Sequence, residues 1–143
     1  MIKGSWYQRL LQGQSDTATA LGAGSMAHIA KSIKFLDSTP KAIKLLAEKT
    51  RIGRNHINEI VLDDKGVSRF HCEISKRGKG PFATYYIRDT GSSTGTFIKR
   101  GKKIVIRGKN PMSGEDDFSE FQLKHGDRIR LNETEFLVKI MMF

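Results

Sequence analysis

The chain has 143 residues, and its 25 lysines and arginines outweigh 15 aspartates and glutamates to give a formal net charge of +10 at pH 7. A hydrophobic fraction of 38% together with 14 glycines is ordinary for a globular protein, and the length predicts one domain with a tail. No apolar run reaches the roughly 18 residues of a membrane span, so we expect no membrane partner. The positive balance predicts an anionic partner.

Two features of the sequence bear on the compartment. The first residues lack the continuous apolar stretch of a secretory signal peptide. The single cysteine, Cys72, cannot form an internal disulfide, which fits a reducing environment. We therefore expect an intracellular protein, either nuclear or cytoplasmic, with the nucleus favoured.

Residues 1–26 are predicted to form an N-terminal extension. Trp6, Tyr7, Leu10 and Leu11 fall on one face of a short helix, and the small polar residues that follow, 12–25, have no periodicity and indicate a flexible linker. So short a helix is marginal in isolation and needs a surface to dock on. Packing against its own domain and binding to a partner both stay open.

From residue 27 to residue 143, short strand patterns alternate with turn residues. The candidate strands lie near residues 29–35, 42–46, 50–54, 58–62, 70–75, 82–87, 96–98, 103–106, 121–123, 128–131 and 135–142. Clusters such as Asp37–Pro40, Asp63–Gly66 and Gly126-Asp127 separate them. No strand–helix alternation occurs, which indicates an all-β domain built as an antiparallel sandwich or barrel.

The segment Asp89–Gly95 fits three chemistries. Asp-Thr-Gly is similar to the active-site loop of aspartic proteases, but those enzymes need a second carboxylate and an apolar residue where Arg88 stands. Gly91–Gly95 also matches the G-x-S-x-G elbow of serine hydrolases, although no helix pattern follows it and only His125 lies downstream. The third interpretation is a tight turn whose hydroxyls and backbone N–H groups face an anion.

Residues from separate segments share one chemistry. Arg54 follows a strand, Ser68 and Arg69 precede another, and Ser93 and Thr94 belong to the loop just described. A phosphate group favours this set, because arginine supplies charge and forked donors while hydroxyls make short directional bonds. The ends of a sandwich, where its loops gather, are where such a site is built.

Over residues 27 to 143, the sequence resembles the forkhead-associated (FHA) domain family. The resemblance rests on Gly53-Arg54, on Ser68–His71 as the family's S-x-x-H, on Asp89–Phe97, and on Gly126-Asp127. It implies an all-β fold, a two-sheet antiparallel β-sandwich of about eleven strands following the N-terminal extension. It also implies a non-catalytic module, without cofactor, that binds threonine-phosphorylated proteins or peptides in kinase signalling, for instance as the targeting domain of a kinase or a DNA-damage-response protein.

The resemblance further implies a role for each matching residue. Arg54 contacts the phosphate, Ser68 donates a hydroxyl to it, Arg69 reaches the phosphate or the peptide backbone, and Ser93 lies near the phosphate and the threonine methyl. Four residues support the site: Gly53, His71, Asp89 and Gly95.

Thr94 departs from the family pattern, which has asparagine at this position to hold the peptide main chain. A threonine hydroxyl cannot donate and accept in the planar manner of an amide, so the peptide-backbone contact needs a substitute, for which Asn55 is one candidate. Peptide preference beyond the phosphothreonine is expected to come from loops such as Asp63–Gly66 and Lys99–Lys103.

Other partners receive less support from the sequence. A basic β-domain for nucleic acid is the alternative, but Tyr85 and Tyr86 are the only adjacent aromatics in the β region and strand alternation directs one of them inward. The histidines and Cys72 lack paired metal-ligand spacing, so no metal is expected. Phosphorylation of Thr17 or Thr19 would allow self-association.

One long loop is predicted over residues 107–120. It is acidic at residues 115–117. A plain surface insertion, a regulatory Ser113 and an acidic flap competing for the basic site are the interpretations that the sequence leaves open for it.

Overall fold

The computed structural model describes residues 25–31, 42–45 and 47–142. The predicted N-terminal helix, most of the linker, Thr17 and Thr19 lie outside the described residues. The first described strand begins at Ser25, two residues before the predicted start of the domain. The boundary between residues 26 and 27 stays a prediction.

Twelve strands are present in the described ranges. In chain order they are β1 Ser25–Lys31, β2 Ala42–Lys44, β3 Lys49–Gly53, β4 Ile60–Val61, β5 Cys72–Arg77, β6 Thr84–Asp89, β7 Thr96–Arg100, β8 Lys103–Lys109, β9 Asp116–Asp117, β10 Phe121–Gln122, β11 Arg128–Leu131 and β12 Thr134–Met142. A single turn of 3-10 helix, Gly80–Phe82, precedes β6. No helix in the described ranges has the length and apolar character needed to cross a membrane.

The strands form two sheets, which confirms the predicted β-sandwich. One sheet has seven strands in the order β2-β1-β12-β11-β7-β8-β9, and the other has five in the order β10-β6-β5-β3-β4. The pairing departs from the antiparallel prediction at one described position, because β3 and β4 run parallel, with Ile52 opposite Ile60. The loop between them, residues 54–59, must therefore cross back along the sheet instead of forming a hairpin.

The core lies between the sheets and follows strand alternation. Along β6, Tyr85, Ile87 and Asp89 are buried while the residues between them are partly exposed. The outward neighbour Tyr86 has the Arg77 guanidinium 4.3 Å above its ring centroid. Alternation thus directs one tyrosine of the pair inward, as predicted. Each fully buried aliphatic or aromatic side chain contributes about 1.5–3 kcal/mol to folding.

Strand register brings three loops to one end of the sandwich. Ile52 near the end of β3 pairs with Cys72 at the start of β5, and Cys72 pairs with Asp89 at the end of β6. The segments that follow β3, precede β5 and follow β6 therefore emerge side by side. These are residues 54–59, 62–71 and 90–95, and we call this end the apical end.

The segment predicted as a long loop over residues 107–120 is more ordered than expected. β8 continues to Lys109, and Asp116–Asp117 return as β9 to pair with Gly108 and Lys109. A two-residue strand has no periodicity that a sequence pattern could reveal, which explains why its pairing was missed.

Candidate functional site

The apical end carries a cleft of about 380 Å³, called here the apical cleft. Its lining residues are Arg54, Ser68, Arg69, Phe70, Thr90, Gly91 and Ser93. Four of the five predicted ligand-contacting residues, drawn from three loops, therefore lie together in one cavity, and the fifth, Thr94, does not line it.

Arg54 and Arg69 differ from the other arginines in the described part of the chain. The remaining seven have partners there: Arg51–Glu59, Arg77–Glu120, Arg88–Glu73, Arg100–Asp127, Arg107–Asp117 and Arg128–Glu135 are ion pairs, and Arg130 lies over the Phe97 ring. Within the same ranges, no carboxylate or aromatic ring contacts the guanidinium of Arg54 or Arg69. Two exposed guanidinium groups beside one cavity attract an anion, and the forked donors suit phosphate geometry.

Backbone and side-chain bonds set the position of Arg54. Its Nε donates to the Val67 carbonyl at 2.9 Å, and its backbone N–H donates to the Ser68 carbonyl at 3.0 Å. The Nε bond occupies one edge of the guanidinium and leaves the terminal nitrogens for a ligand. Arg54 is thereby held against the loop that supplies Ser68.

The Ser68 and Ser93 hydroxyls meet across two loops. The Ser93 N–H donates to Ser68 Oγ at 2.9 Å, and the two Oγ atoms are 3.2 Å apart. Since Ser68 Oγ accepts from that N–H, its own proton is available for Ser93 or for an anion. The pair joins residues 62–71 to residues 90–95 at the wall of the apical cleft.

His71 ties the same two loops together from beneath. It is fully buried; its Nδ1 accepts the Ser68 N–H at 3.1 Å, and its Nε2 lies 2.8 Å from the Gly95 carbonyl. Because Nδ1 accepts, the proton resides on Nε2 and is donated to Gly95. Burial lowers the pKa of His71 below its ordinary value, which favours this neutral form. The predicted supporting position is thus a hydrogen-bonded bridge.

Asp89 organises the loop that carries Ser93. Its buried carboxylate accepts the Gly91 N–H at 2.9 Å, the Ser92 N–H at 2.8 Å and the Ser92 hydroxyl at 2.6 Å. The Thr96 hydroxyl donates to the same carboxylate at 2.7 Å. Four donors satisfy a charge that would otherwise be costly to bury, and they define the turn.

Two glycines permit close backbone approaches at the apical end. A Cβ on Gly53 would overlap the Arg69 carbonyl, which accepts the Asn55 N–H and the Asn58 side chain. Gly95 has φ of +85°, where L-residues are strained, and a Cβ there would lie 2.7 Å from the Lys109 carbonyl. Both predicted supporting positions therefore require glycine for steric reasons.

Thr94 lines a second cavity of about 490 Å³ that adjoins the first at Ser93. The other lining residues are Lys109, Asn110, Pro111, Gly114 and Asp116. The Thr94 hydroxyl donates to the Gly66 carbonyl at 3.2 Å. Asn55, the predicted substitute for the missing amide, instead accepts the Ile57 N–H with its side-chain oxygen at 2.8 Å.

Some positions in the cleft were not anticipated. Thr90 and Gly91 belong to the loop singled out in the sequence, and their place beside Ser93 was a usable signal. Phe70 lies inside the Ser68–His71 segment singled out in the sequence, but alternation predicted a strand over 70–75, whereas the strand begins at Cys72 and residues 71–74 are all buried.

The Lys99–Lys103 loop does not border either cavity. It is the β7–β8 hairpin. The apical loop 90–95 leads into the start of β7, whereas the hairpin follows the end of that strand. Arg100 within it is bound to buried Asp127 by two bonds of 2.8 and 2.7 Å. The structure therefore places this loop away from the apical cleft.

The enzyme interpretations of Asp89–Gly95 have no matching geometry. Asp89 is buried and bonded within its own loop, so it is not available to share a proton with a second carboxylate. Gly95 leads into strand β7, whereas a nucleophile elbow leads into a helix. The part of the chain that the structure describes contains no group of three or more acidic, histidine or cysteine side chains arranged to hold a metal.

Comparisons with known proteins agree on one family. The sequence model of the FHA domain family matches residues 50–132. The transcriptional regulatory protein EmbR of Mycobacterium tuberculosis is 33% identical over 128 residues, which are 88% of this chain and 28% of EmbR. The chain thus spans about a quarter of the length of that relative.

Solved structures give the same result. Mycobacterium tuberculosis EmbR in complex with a low-affinity phosphopeptide aligns with a TM-score of 0.59 and 27% identity, covering 95% of this chain and 32% of that one. An FHA domain studied for phosphothreonine-dependent interactions aligns with a TM-score of 0.60 and 24% identity, covering 82% of this chain and 99% of that one. The second likeness concerns the fold alone.

Proposed function

Because the chain belongs to the FHA domain family, we propose that its apical cleft binds threonine-phosphorylated peptides and so mediates protein–protein interaction in signalling. The observation that carries the proposal is the pair of arginines, Arg54 and Arg69, left without a carboxylate partner in the described ranges while the seven others have partners. The related EmbR, which aligns with this chain over 32% of its length, has been solved in complex with a low-affinity phosphopeptide. The nucleic-acid alternative gains no support from any relative reported above.

Binding follows from charge and hydrogen-bond geometry. A phosphothreonine carries nearly two negative charges at pH 7 and three acceptor oxygens. Arg54 supplies its terminal guanidinium nitrogens, Arg69 supplies a second cation, and the Ser68 hydroxyl turns its proton from Ser93 to a phosphate oxygen. Each charge-assisted bond is worth about 1.5–3 kcal/mol, so a few of them give an affinity on the order of 1 μM.

We assign no catalytic step to the apical cleft. The cleft residues bind a phosphate group without changing it. The Ser93 hydroxyl lies against the Ser68 hydroxyl, and His71 accepts the Ser68 backbone N–H, so His71 does not act as a base on Ser93. FHA domains are binding modules in general, and we carry that property to this chain.

Titration of phosphothreonine peptides tests the proposal. The 143-residue chain is measured by fluorescence anisotropy against a degenerate phosphothreonine library, with unphosphorylated and phosphoserine versions as ligand controls. We expect micromolar binding that requires the phosphate and favours threonine about 10- to 200-fold, the range expected for one buried methyl. Equal binding of phosphorylated and unphosphorylated peptides would contradict it.

Variants assign the site. Arg54→Ala and Ser68→Ala are expected to weaken binding at least 10-fold, because each removes a charge-assisted bond worth about 1.5–3 kcal/mol. Arg130→Ala is the matched control, since that arginine lies over Phe97 and lines neither cavity. If both cleft variants bind like the wild type, the site assignment is wrong.

The chain spans 28% of EmbR, so the activity and partners of any longer protein are not carried over. A role in a kinase or a DNA-damage-response protein, and the nuclear compartment, gain no support from a bacterial transcriptional regulator. Phosphorylation-dependent self-association through Thr17 or Thr19 is tested by gel filtration of the phosphorylated chain, which would elute as a monomer if the idea fails.

A further inference from the structure

Phe70 is an aromatic side chain at the apical cleft that the phosphate contacts leave unused. It is 46% exposed, and it is the one large hydrophobic residue among those that line the cleft. Burying an aromatic side chain of this size normally stabilises a fold. The fold therefore forgoes a substantial part of that stabilisation at Phe70.

The backbone around Phe70 is fixed on both sides. The Arg69 carbonyl accepts the Asn58 side chain at 2.7 Å and the Asn55 N–H at 3.1 Å. The Phe70 carbonyl accepts the Thr90 hydroxyl at 3.0 Å, and the His71 N–H donates to Ile52 at 2.9 Å. The aromatic side chain is thus presented at the cleft by an ordered segment, so a ligand that contacts it pays little ordering entropy.

The apical cleft is larger than a phosphate group requires. A phosphate group fills only part of its 380 Å³. The cations and hydroxyls, Arg54, Arg69 and Ser68, account for recognition of the phosphate. Phe70 and the remaining volume suit an apolar side chain that enters beside it.

We propose that Phe70 is a specificity-determining residue that selects phosphothreonine peptides with an aliphatic side chain near the phosphothreonine. This inference rests on the proposed function of the apical cleft and names the peptide class that it prefers. An aliphatic chain of the ligand covers the exposed face of Phe70 and removes apolar surface of both from water. An acidic side chain at the same position gains no such burial, and a basic one is repelled by Arg54 and Arg69, which line the same cleft.

A position-scanning phosphothreonine library tests the proposal on the 143-residue chain. Each flanking position is varied among Leu, Ile, Met, Asp and Lys, and affinity is measured by fluorescence anisotropy. For the wild type we expect one position at which the aliphatic residues bind about 3- to 10-fold more tightly than Asp and Lys, the range of one aromatic contact. Phe70→Ala removes that preference and keeps the phosphate dependence, while Phe70→Leu keeps part of the preference.

Phe82→Ala is the matched control, because Phe82 is 83% exposed and lines neither cavity. It is expected to leave the preference unchanged. The inference is overturned if the preference survives in Phe70→Ala, or if it is lost equally in Phe82→Ala. In either case the proposed function still stands, provided that binding depends on the phosphate. Loss of phosphate dependence in the wild type itself overturns both.

Discussion

Ser68 shows how much of the apical cleft depends on one residue. Its carbonyl accepts the Arg54 N–H at 3.0 Å, its N–H donates to His71 at 3.1 Å, and its hydroxyl accepts the Ser93 N–H at 2.9 Å. Each of its polar groups thus contacts a different part of the site. The arrangement preorganises the hydroxyl, so that a phosphate meets a donor already in position.

Thr94 is the residue at which the family pattern fails, and it allows a gain-of-function prediction. Its hydroxyl is engaged with the Gly66 carbonyl at 3.2 Å, so it offers no planar donor and acceptor pair to a peptide backbone. We expect Thr94→Asn to bind a phosphothreonine peptide about 3- to 10-fold more tightly, because one main-chain hydrogen bond is worth about 0.5–1.5 kcal/mol. Isothermal titration calorimetry measures the change. Unchanged or weaker binding would contradict this prediction.

His71 carries a pH dependence whose sign follows from its pKa. Burial lowers the pKa of His71 in the folded state, while an unfolded chain protonates near pH 6.5. The stabilisation is therefore complete above about pH 6.5 and decreases as the pH falls below it, by at most about 1.4 kcal/mol per pH unit. Urea unfolding at pH 7.5, 6.0 and 5.0 measures the slope. His71→Asn is expected to lose this dependence and the exposed His56→Asn to keep it; equal slopes in all three proteins would refute the assignment.

At the scale of elements, the apical loops are anchored to the β11–β12 turn. Asp64 accepts the Gly66 N–H at 2.9 Å, the Asn132 side chain at 2.8 Å and the Thr134 hydroxyl at 2.8 Å. These bonds lower the pKa of Asp64, with the Thr134 hydroxyl as the largest contributor, so the carboxylate is charged at neutral pH. The loop that carries Ser68 is thereby held against the opposite sheet.

Breaking this anchor should weaken binding without touching the ligand. Asp64→Ala removes three accepted bonds, so we expect a loss of stability of about 1–3 kcal/mol and a several-fold loss of phosphothreonine-peptide affinity. Asp63→Ala is the matched control, because Asp63 is exposed and has no bonded partner among the described residues. Chemical unfolding and anisotropy titration measure the two effects. The anchor has no role in binding if the two variants have the same affinity.

At the scale of the whole molecule, the arginines that contribute to the net charge of +10 fall into two groups. Most arginines in the described ranges are neutralised by nearby carboxylates, for example Arg100 by Asp127 and Arg88 by Glu73. The cationic residues that line the apical cleft are Arg54 and Arg69. These two arginines, which have no carboxylate partner in the described part of the chain, therefore match a single phosphate group.

Salt dependence distinguishes a phosphopeptide from a nucleic acid. With two arginines engaged, phosphopeptide affinity should fall about 10-fold or less between 50 and 200 mM NaCl, whereas a protein contacting six to ten DNA phosphates loses roughly 10³- to 10⁵-fold. Anisotropy with a phosphothreonine peptide and a 20-base-pair duplex at both salt concentrations makes the comparison. Tighter binding of the duplex at both concentrations would favour the nucleic-acid alternative.

Much of the fold and of the candidate site was predictable because it depends on local patterns. Strand alternation and turn residues reveal the order of the elements, and the spacing of Arg54, Ser68, Arg69 and Ser93 marks loops at one end of a sandwich. The parallel pairing of β3 with β4 and the short strand β9 were not predictable. The first depends on how two predicted strands pair across a loop, and the second on the contacts of a segment that is too short to have a period.

The sequence by itself determined that this protein is an all-β domain with arginines and hydroxyls suited to one phosphate. Only the tertiary structure decided which arginines are available to bind a ligand. Arg54 and Arg100 both lie next to turns, but Arg100 is bound by Asp127, which is 27 positions further along the chain. The tertiary structure also decided that Thr94 faces a second cavity and that Phe70 stays exposed. The physical reason is that periodicity and spacing are local properties, whereas pairing and burial depend on residues that meet only when the two sheets close.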